Sequence, residues 1–279
     1  MNDNKSTAFQ QQYGPWALVA GGAQGIGEAY TRYLAARGLN VIVLDISAQA
    51  LADISGQVSS EFGVECLAVE VDLSSHTMLE TIAAAVGDRE VGLMIYNAGL
   101  ADVGPFYKQD TGLDFELKKI AINVTGPLQL TYHFGKGMLA RQRGGILLMS
   151  SGAGLQGSPY YAHYSATKAY DIALAEALWG EFAPYNVDVL AVAAGMTLST
   201  AAEGFEHIKD RSQFQTTTEL VDEAMAALGQ GKPTLIAGKN HRANAEQMLQ
   251  IPKEELIRYM ADHAINNFLG GTIPRQNID

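Results

Sequence analysis

Trp16-Ala17-Leu18-Val19-Ala20-Gly21-Gly22-Ala23-Gln24-Gly25-Ile26-Gly27 is the stretch whose reading decides the fold. Five apolar residues of strand type break into a turn crowded with glycine. Beyond it Ala29, Tyr30, Tyr33, Leu34 and Leu39 recur at roughly helical spacing, and a second apolar run, Val41 to Leu44, ends in Asp45. Strand, glycine turn, helix and strand make a βαβ unit, and such units cross over right-handed into a parallel sheet. Glycine lets the backbone approach a pyrophosphate, while the helix N-terminus offers unsatisfied N–H groups and the positive end of its dipole. Asp45 lies eighteen residues beyond Gly27, where a carboxylate accepts hydrogen bonds from an adenosine ribose diol. A carboxylate also repels a 2′-phosphate, and neither Gln24 nor Ile46 supplies the cation that group needs, so the residues point to NAD in preference to NADP.

Strand and helix signals continue to alternate along the chain, as a doubly wound α/β sheet requires. Strands are predicted at Val64–Val71, Gly92–Tyr96, Ile146–Met149, Val187–Val192 and Thr234–Ala237, giving seven parallel strands of Rossmann type with helices on both faces. Helices are predicted from about Ser74 to Val86, from Leu113 to Arg141, and from before Tyr164 to near Pro184. The carboxyl ends of six strands lead to Gly21, Asp45, Asp72, Asn97, Ser151 and Gly195. Ligands of open α/β sheets bind along that edge, so these residues converge although they are distant in sequence.

Tyr164 and Lys168 stand four residues apart, and Ser151 lies thirteen residues before Tyr164. Positions i and i+4 share a helix face, so the phenol and the ammonium point into one pocket. A free phenol, with a pKa of about 10, accepts protons poorly at neutral pH, and a fixed neighbouring cation favours the phenolate. Ser151 is placed to hydrogen-bond the same substrate oxygen. The device moves a proton onto or off an alcohol or carbonyl oxygen, with the dinucleotide taking the accompanying hydride.

On these motifs the chain resembles the short-chain dehydrogenase/reductase family, in its single-domain NAD(P)-dependent oxidoreductase class. Gly21-x-x-x-Gly25-Ile26-Gly27 resembles the family's cofactor glycine motif, with Ala20 where Thr is more usual. Asn97-Ala98-Gly99 matches the Asn-Ala-Gly motif, with Tyr96 where a second Asn is common, and Val71-Asp72-Leu73 resembles the segment whose Asp contacts adenine. Asn123, Ser151, Tyr164 and Lys168 match the family's catalytic tetrad in order and spacing. The resemblance implies that Lys168 also bonds the nicotinamide ribose, that Asn123 holds a water linking Lys168 to solvent, and that Thr197 meets the carboxamide. It implies a homodimer or homotetramer packed through the helices of Leu113 and Tyr164. One departure stands out: Ala194-Gly195 replaces the usual Pro-Gly beside the nicotinamide.

The 279 residues, 47% of them hydrophobic, suffice for one Rossmann-type catalytic domain over 13–279, preceded by a polar, flexible N-terminus over 1–12. Within that domain a polar lid is predicted over about 197–217 and a helical tail over about 241–270, broken at Pro252. The formal charge of −11 argues against nucleic acid and anionic membranes as partners. Cys66 is the only cysteine, so there is no intrachain disulfide, and the six histidines show no paired spacing that would hold a metal. His163 adjoins Tyr164, but successive helical residues face different directions. No apolar run reaches the roughly 18 residues of a membrane span, and a cytoplasmic protein is expected.

The predicted pocket walls are Gly152 to Tyr161, the loop Leu100 to Tyr107, and Met196 to Phe214. Leu155, Tyr160, Tyr161, Met196, Phe205 and Phe214 suit a bulky lipophilic secondary alcohol or its ketone, such as a steroid or an aromatic alcohol. Two alternatives stand beside that reading. One is an NADPH-dependent ketoacyl reductase acting on carrier- or coenzyme A-linked substrates; the other is a non-catalytic regulator that senses NAD.

Overall fold

The computed structural model describes residues 2–108, 111–199, 211, 214–248 and 250–278. A helix α1 (Asn2–Tyr13) leads into β1 (Trp16–Ala20), α2 (Gly25–Ala35) and β2 (Asn40–Asp45). The chain continues through α3 (Ala48–Phe62), β3 (Cys66–Glu70), α4 (Met78–Val86) and β4 (Val91–Tyr96). Then come α5 (Gly112–Ile120), a π-helical turn at Ala121–Thr125, α6 (Gly126–Arg141) and β5 (Gly144–Ser151). A 3₁₀ turn (Gly152–Leu155) precedes the long α7 (Ala162–Phe182) and β6 (Val187–Ala194). Two short strands, β7 (Thr197–Leu198) and β8 (Gln215–Thr216), lead to α8 (Thr217–Ala227), β9 (Thr234–Ile236), α9 (Lys239–Met248) and α10 (Lys253–Phe268).

The main sheet has seven parallel strands in the order β3-β2-β1-β4-β5-β6-β9. Strand order reverses between β1 and β4, which opens a crevice beyond their carboxyl ends. Both faces of β1 are buried: Ala17 and Val19 pack toward α2, α3 and α8, while Trp16, Leu18 and Ala20 pack toward α4, α6 and α7. That is why β1 reads as continuously apolar and does not alternate. Full burial of each such Val or Leu side chain contributes roughly 1.5–3 kcal/mol.

Three departures from the sequence reading have physical causes. Residues 1–12 were expected to be flexible, yet α1 is a helix whose last turn is tied to the sheet. Tyr13 is buried and donates to Asp188 (2.7 Å), Gln12 donates to the Asn186 carbonyl (3.0 Å), and Arg143 donates to the Gln11 carbonyl (3.0 Å). Those partners lie more than 130 residues away in sequence, so no local pattern announces them. The helix predicted over Leu113–Arg141 is interrupted by its π turn, where Tyr96 donates to the Ile122 carbonyl (2.6 Å). A Cβ on Gly126 would come within 2.1 Å of that same Tyr96 hydroxyl, so the bulge, the tyrosine and the glycine form one packing solution. The helix predicted from Ser74 starts only at Met78, because Ser74 donates both N–H and Oγ to Asp72 and the chain turns there first.

Candidate active site

The glycine turn after β1 is a cradle that side chains would fill. Gly21 has φ +69°, and a Cβ there would meet Ala98 Cα at 2.8 Å; a Cβ on Gly27 would fall 1.8 Å from the Gly21 carbonyl oxygen. Gln24, the residue before α2, makes no side-chain cap, so the first N–H groups of the helix stay available to a ligand. Ile26 sits in that first turn, half-buried against the core. Asp45, at the end of β2, accepts from Ala23 N (3.2 Å) through one oxygen and from Ile46 N (2.8 Å) and Ser47 N (3.2 Å) through the other. Asn97 donates to the Gly21 carbonyl (2.8 Å), and Asn97 N and Ala98 N both donate to the Ala20 carbonyl. A ribose-sized acceptor beside an open helix N-terminus, on a turn with no room for side chains, fits a dinucleotide.

Other residues read as cofactor contacts lie on the same edge with their own commitments. Asp72 is held by Ser74 and faces Lys118 at 3.7 Å, and these bonds keep its carboxyl below the usual range; Leu73 beside it is buried. Thr197 donates its hydroxyl to the Gly195 carbonyl (3.0 Å) and accepts from Gln215 (3.2 Å). Its hydroxyl therefore braces β7 against β8 before it meets any carboxamide.

Three of the four tetrad candidates, Asn123, Tyr164 and Lys168, lie where α7 packs on the π turn and β5, and Ser151 ends β5. Lys168 is buried, and its Nζ donates to the Met149 carbonyl (2.6 Å) and to Asp171 (3.0 Å). Burial works to lower the Lys168 pKa, but Asp171 and then Tyr164 hold it above the ordinary lysine value. Tyr164 and Lys168 thus lie on one face, within electrostatic reach of each other. Ser151, at the end of β5, accepts from Ala153 N (3.2 Å). Asn123, buried in the π turn, clamps Leu100 at both N–H (2.8 Å) and carbonyl (2.9 Å) and donates to Thr167 (3.1 Å). A side chain at Gly99 would meet Lys168 Nζ at 3.6 Å and Asn123 Oδ1 at 3.7 Å.

Tyr164 opens onto a cavity of about 260 Å³, with Pro105, Phe106, Tyr160 and Tyr161 among its walls. Tyr161 also stacks edge-on against Phe268 of α10 (5.6 Å), and Asn277 N donates to the Tyr107 carbonyl (3.0 Å), so the C-terminal segment closes over the loop Leu100–Tyr107. His163 lines this cavity too, paired with Glu116, which also pairs with the buried Lys119. Lys119 and Lys108 both pair with Asp102, so one end of the cavity is charged where the sequence suggested only apolar walls. Of the expected lid, residues 200–210, with Phe205, and residues 212 and 213 lie outside the described residues; Met196 and Phe214 flank the β7–β8 pair. Among the described residues no helix is long and apolar enough to cross a membrane, and no cluster of three or more His, Cys, Asp or Glu is arranged to hold a metal.

Residues 15–209 match the family model of the short chain dehydrogenases. The chain belongs to the short-chain dehydrogenase family. A 7beta-hydroxysteroid dehydrogenase of Collinsella aerofaciens is 29% identical over 259 residues, covering 90% of this chain and 97% of that protein. A very-long-chain 3-oxoacyl-CoA reductase of Bos taurus is 33% identical over 181 residues, covering 64% of this chain and 58% of that one. A solved 7beta-hydroxysteroid dehydrogenase, 30% identical, superimposes with a TM-score of 0.84 over 90% of this chain and 98% of the other. A short-chain dehydrogenase of Sphingobium yanoikuyae in complex with NADPH shares the fold at 24% identity and a TM-score of 0.71, covering 85% of this chain and 93% of that one. This protein is accordingly a nicotinamide-dependent oxidoreductase that acts on hydroxyl or keto groups.

Seen as a short-chain dehydrogenase, the chain has a residue at the site that its sequence did not single out. Where the family usually has proline, Ala194 ends β6, and the following turn is packed by His241 from α9. A Cβ on Gly195 would touch the His241 ring at 2.8 Å, and one on Gly152 would touch it at 2.4 Å. The imidazole thus bridges the Ser151 turn and the β6 turn, with its Nε2 buried and without a hydrogen-bond partner among the described residues. A single histidine after a short strand gives no signal in sequence. Burial pushes His241, and His263 on α10, below the ordinary histidine value. The folded protein therefore binds these protons less readily than the unfolded chain. Their contribution to stability is complete above the unfolded pKa of about 6.5 and declines as pH falls toward the folded values. Thermal unfolding followed by circular dichroism should show a melting temperature that drops on acidification through this range. His241→Phe should flatten the drop; an unchanged slope would remove His241 from the account.

Proposed function

We propose that this short-chain dehydrogenase reversibly oxidises a bulky, lipophilic secondary alcohol, of which a hydroxysteroid is the leading candidate, with NAD in preference to NADP. Asn123, Ser151, Tyr164 and Lys168 are assigned as its catalytic group. The single observation that supports the chemistry most is the placement of the Lys168 ammonium, buried and charged, on the face of α7 that carries Tyr164. In this reading Ser151 donates a hydrogen bond to the substrate oxygen, and Tyr164 takes the hydroxyl proton in oxidation and returns it in reduction. Lys168 stabilises the charge that develops on the tyrosyl oxygen. Asn123 clamps the Leu100 loop against α7, which fixes the cavity wall facing Tyr164. When bound, the nicotinamide supplies or accepts the hydride. Gly21, Gln24, Gly25, Ile26, Gly27, Asp45, Asp72, Leu73, Asn97, Ala98, Gly99 and Thr197, with Tyr164 and Lys168, are the proposed contacts for that cofactor. Asp45 supports the NAD preference, since its carboxylate stands beside the turn where a 2′-phosphate would lie.

The aromatic wall beside Tyr164 and the likeness to 7beta-hydroxysteroid dehydrogenases over 90% of this chain support the steroid-like substrate. Leu113, Leu117, Leu128 and Tyr132, exposed along α5 and α6, support a homodimer or homotetramer packed through that helix, in line with the family resemblance. A cytoplasmic location belongs to the same reading, because the reaction draws on the free coenzyme pool of the cell interior. The test is a panel of secondary alcohols, hydroxysteroids included, followed by absorbance of the reduced nicotinamide with each coenzyme. The expected result is hydroxysteroid turnover with kcat/KM at least about tenfold higher for NAD than for NADP, a difference of roughly 1.4 kcal/mol. Preference for NADPH together with a 3-oxoacyl thioester would overturn it in favour of the ketoacyl reductase reading. The absence of turnover with intact NAD binding would favour the sensor.

A further inference from the structure

Asp171 is as buried as the lysine it touches: the two side chains are 4% and 5% exposed, and they lie 3.0 Å apart one turn along α7. Burial tends to raise the Asp171 pKa, and Lys168 opposes that rise. The pair is held from two sides. The Met149 carbonyl of β5 accepts a second Lys168 N–H (2.6 Å), and Ser150 donates to the Lys168 carbonyl (2.7 Å), pinning this turn of α7 to the strand. The titratable groups facing the pair are Tyr164 and Tyr170 on α7 and Tyr96 on β4; Tyr161 in turn faces Tyr164.

We propose that Asp171 is a positioning residue that anchors the Lys168 ammonium against β5 and, by cancelling part of its charge, sets the pH at which Tyr164 exchanges the substrate proton. This rests on the catalytic roles given above to Tyr164 and Lys168. The physical argument concerns what the tyrosyl oxygen faces. A lone buried ammonium presents a full positive charge in a weakly screened environment, whereas an ammonium 3.0 Å from a carboxylate presents a dipole, whose field is smaller and falls off faster. Asp171 also offsets part of the burial penalty on the Lys168 charge; the Met149 carbonyl goes on favouring the ammonium without it, so the cation persists in the neutral variants and the change in its field decides the shift. The carboxylate thus keeps the cation in place and moderates its field. The third Lys168 proton, free of both partners, remains for the nicotinamide ribose.

The test compares the parent enzyme with Asp171→Asn, which keeps shape and acceptor oxygen, Asp171→Leu, which keeps the branched shape without an acceptor, and Asp171→Glu, which keeps the charge. The rising limb of kcat/KM for alcohol oxidation should move to lower pH by about one unit in the neutral variants, a tenfold change in proton affinity. It should stay near the parent position in Asp171→Glu. The effect should fall on kcat more than on KM, and NAD affinity by calorimetry should stay within about twofold of the parent. A limb that stays put or moves to higher pH would overturn the proposal, as would weakened NAD binding with an unshifted profile. If both neutral variants are unfolded by circular dichroism while Asp171→Glu folds with the parent profile, Asp171 is a scaffold residue and the proposal fails. A readout independent of turnover is the tyrosinate absorbance assigned to residue 164 by difference from Tyr164→Phe, which should move to lower pH in Asp171→Asn without any substrate. That shift in a protein inactive on every alcohol would retain this inference and reject the assigned function.

Discussion

Tyr164→Phe is expected to lower kcat for alcohol oxidation by about 10³-fold, within the 10²–10⁴ range of a positioned acid–base group. NAD affinity and melting temperature should stay close to those of the parent. The substitution removes one oxygen from a side chain that borders the cavity and keeps the ring that packs 6.1 Å from Tyr161. No protein hydrogen bond from the Tyr164 hydroxyl is present among the described contacts, so the fold loses little when that oxygen goes. Lys168 keeps its bonds to Met149 and Asp171. Single-turnover kinetics with saturating NAD, together with calorimetric NAD binding, separate the chemical step from cofactor capture. Turnover within tenfold of the parent would show that the proton leaves by another group.

Gly27→Ala should be nearly as damaging, by a different route. Its Cβ would lie 1.8 Å from the Gly21 carbonyl oxygen and 2.8 Å from Asn97 Nδ2, so the turn must open or α2 must move. Overpacking of this kind costs about 1–3 kcal/mol, measurable as a lower urea midpoint. The larger effect falls on the cofactor, because the displaced atoms belong to the cradle itself. NAD affinity is expected to fall by more than about 100-fold, roughly 2.7 kcal/mol. Gly56→Ala is the matched control: it lies inside α3 with nothing within 4 Å of the added methyl, and should be neutral or stabilising by up to about 1 kcal/mol. Parent-like NAD binding in Gly27→Ala would refute the cradle.

The doubly wound sheet was legible because its signals are local. Buried parallel strands read as short apolar runs, and Trp16–Ala20 shows how a strand covered on both faces loses its alternation. The βαβ unit pairs that strand with β2 in parallel, and in the observed order β1 lies between β2 and β4. The i, i+4 relation of Tyr164 and Lys168 is likewise a property of any helix. His163 shows the limit of such reasoning. It was expected to face away from Tyr164, yet both border the same cavity, because a cavity can wrap around more than one side of a helix end.

What the sequence determined by itself is whatever depends on short stretches: the strand and helix order, the glycine turn between β1 and α2, the acid at the end of β2, and the phenol–ammonium pair. What only the tertiary structure decided is which distant groups meet. The docking of α1 through Gln12 and Tyr13 to Asn186 and Asp188, the wedging of His241 between Gly152 and Gly195, the charged end of the cavity around Lys119, and the π turn bonded to Tyr96 all join elements far apart along the chain. Asp171 is the instructive intermediate case: its spacing from Lys168 is local, but its effect comes from the burial that β4 and β5 impose on both charges. Spacing states which side chains share a face, whereas the strength of a charge depends on how much water the rest of the fold has removed from around it.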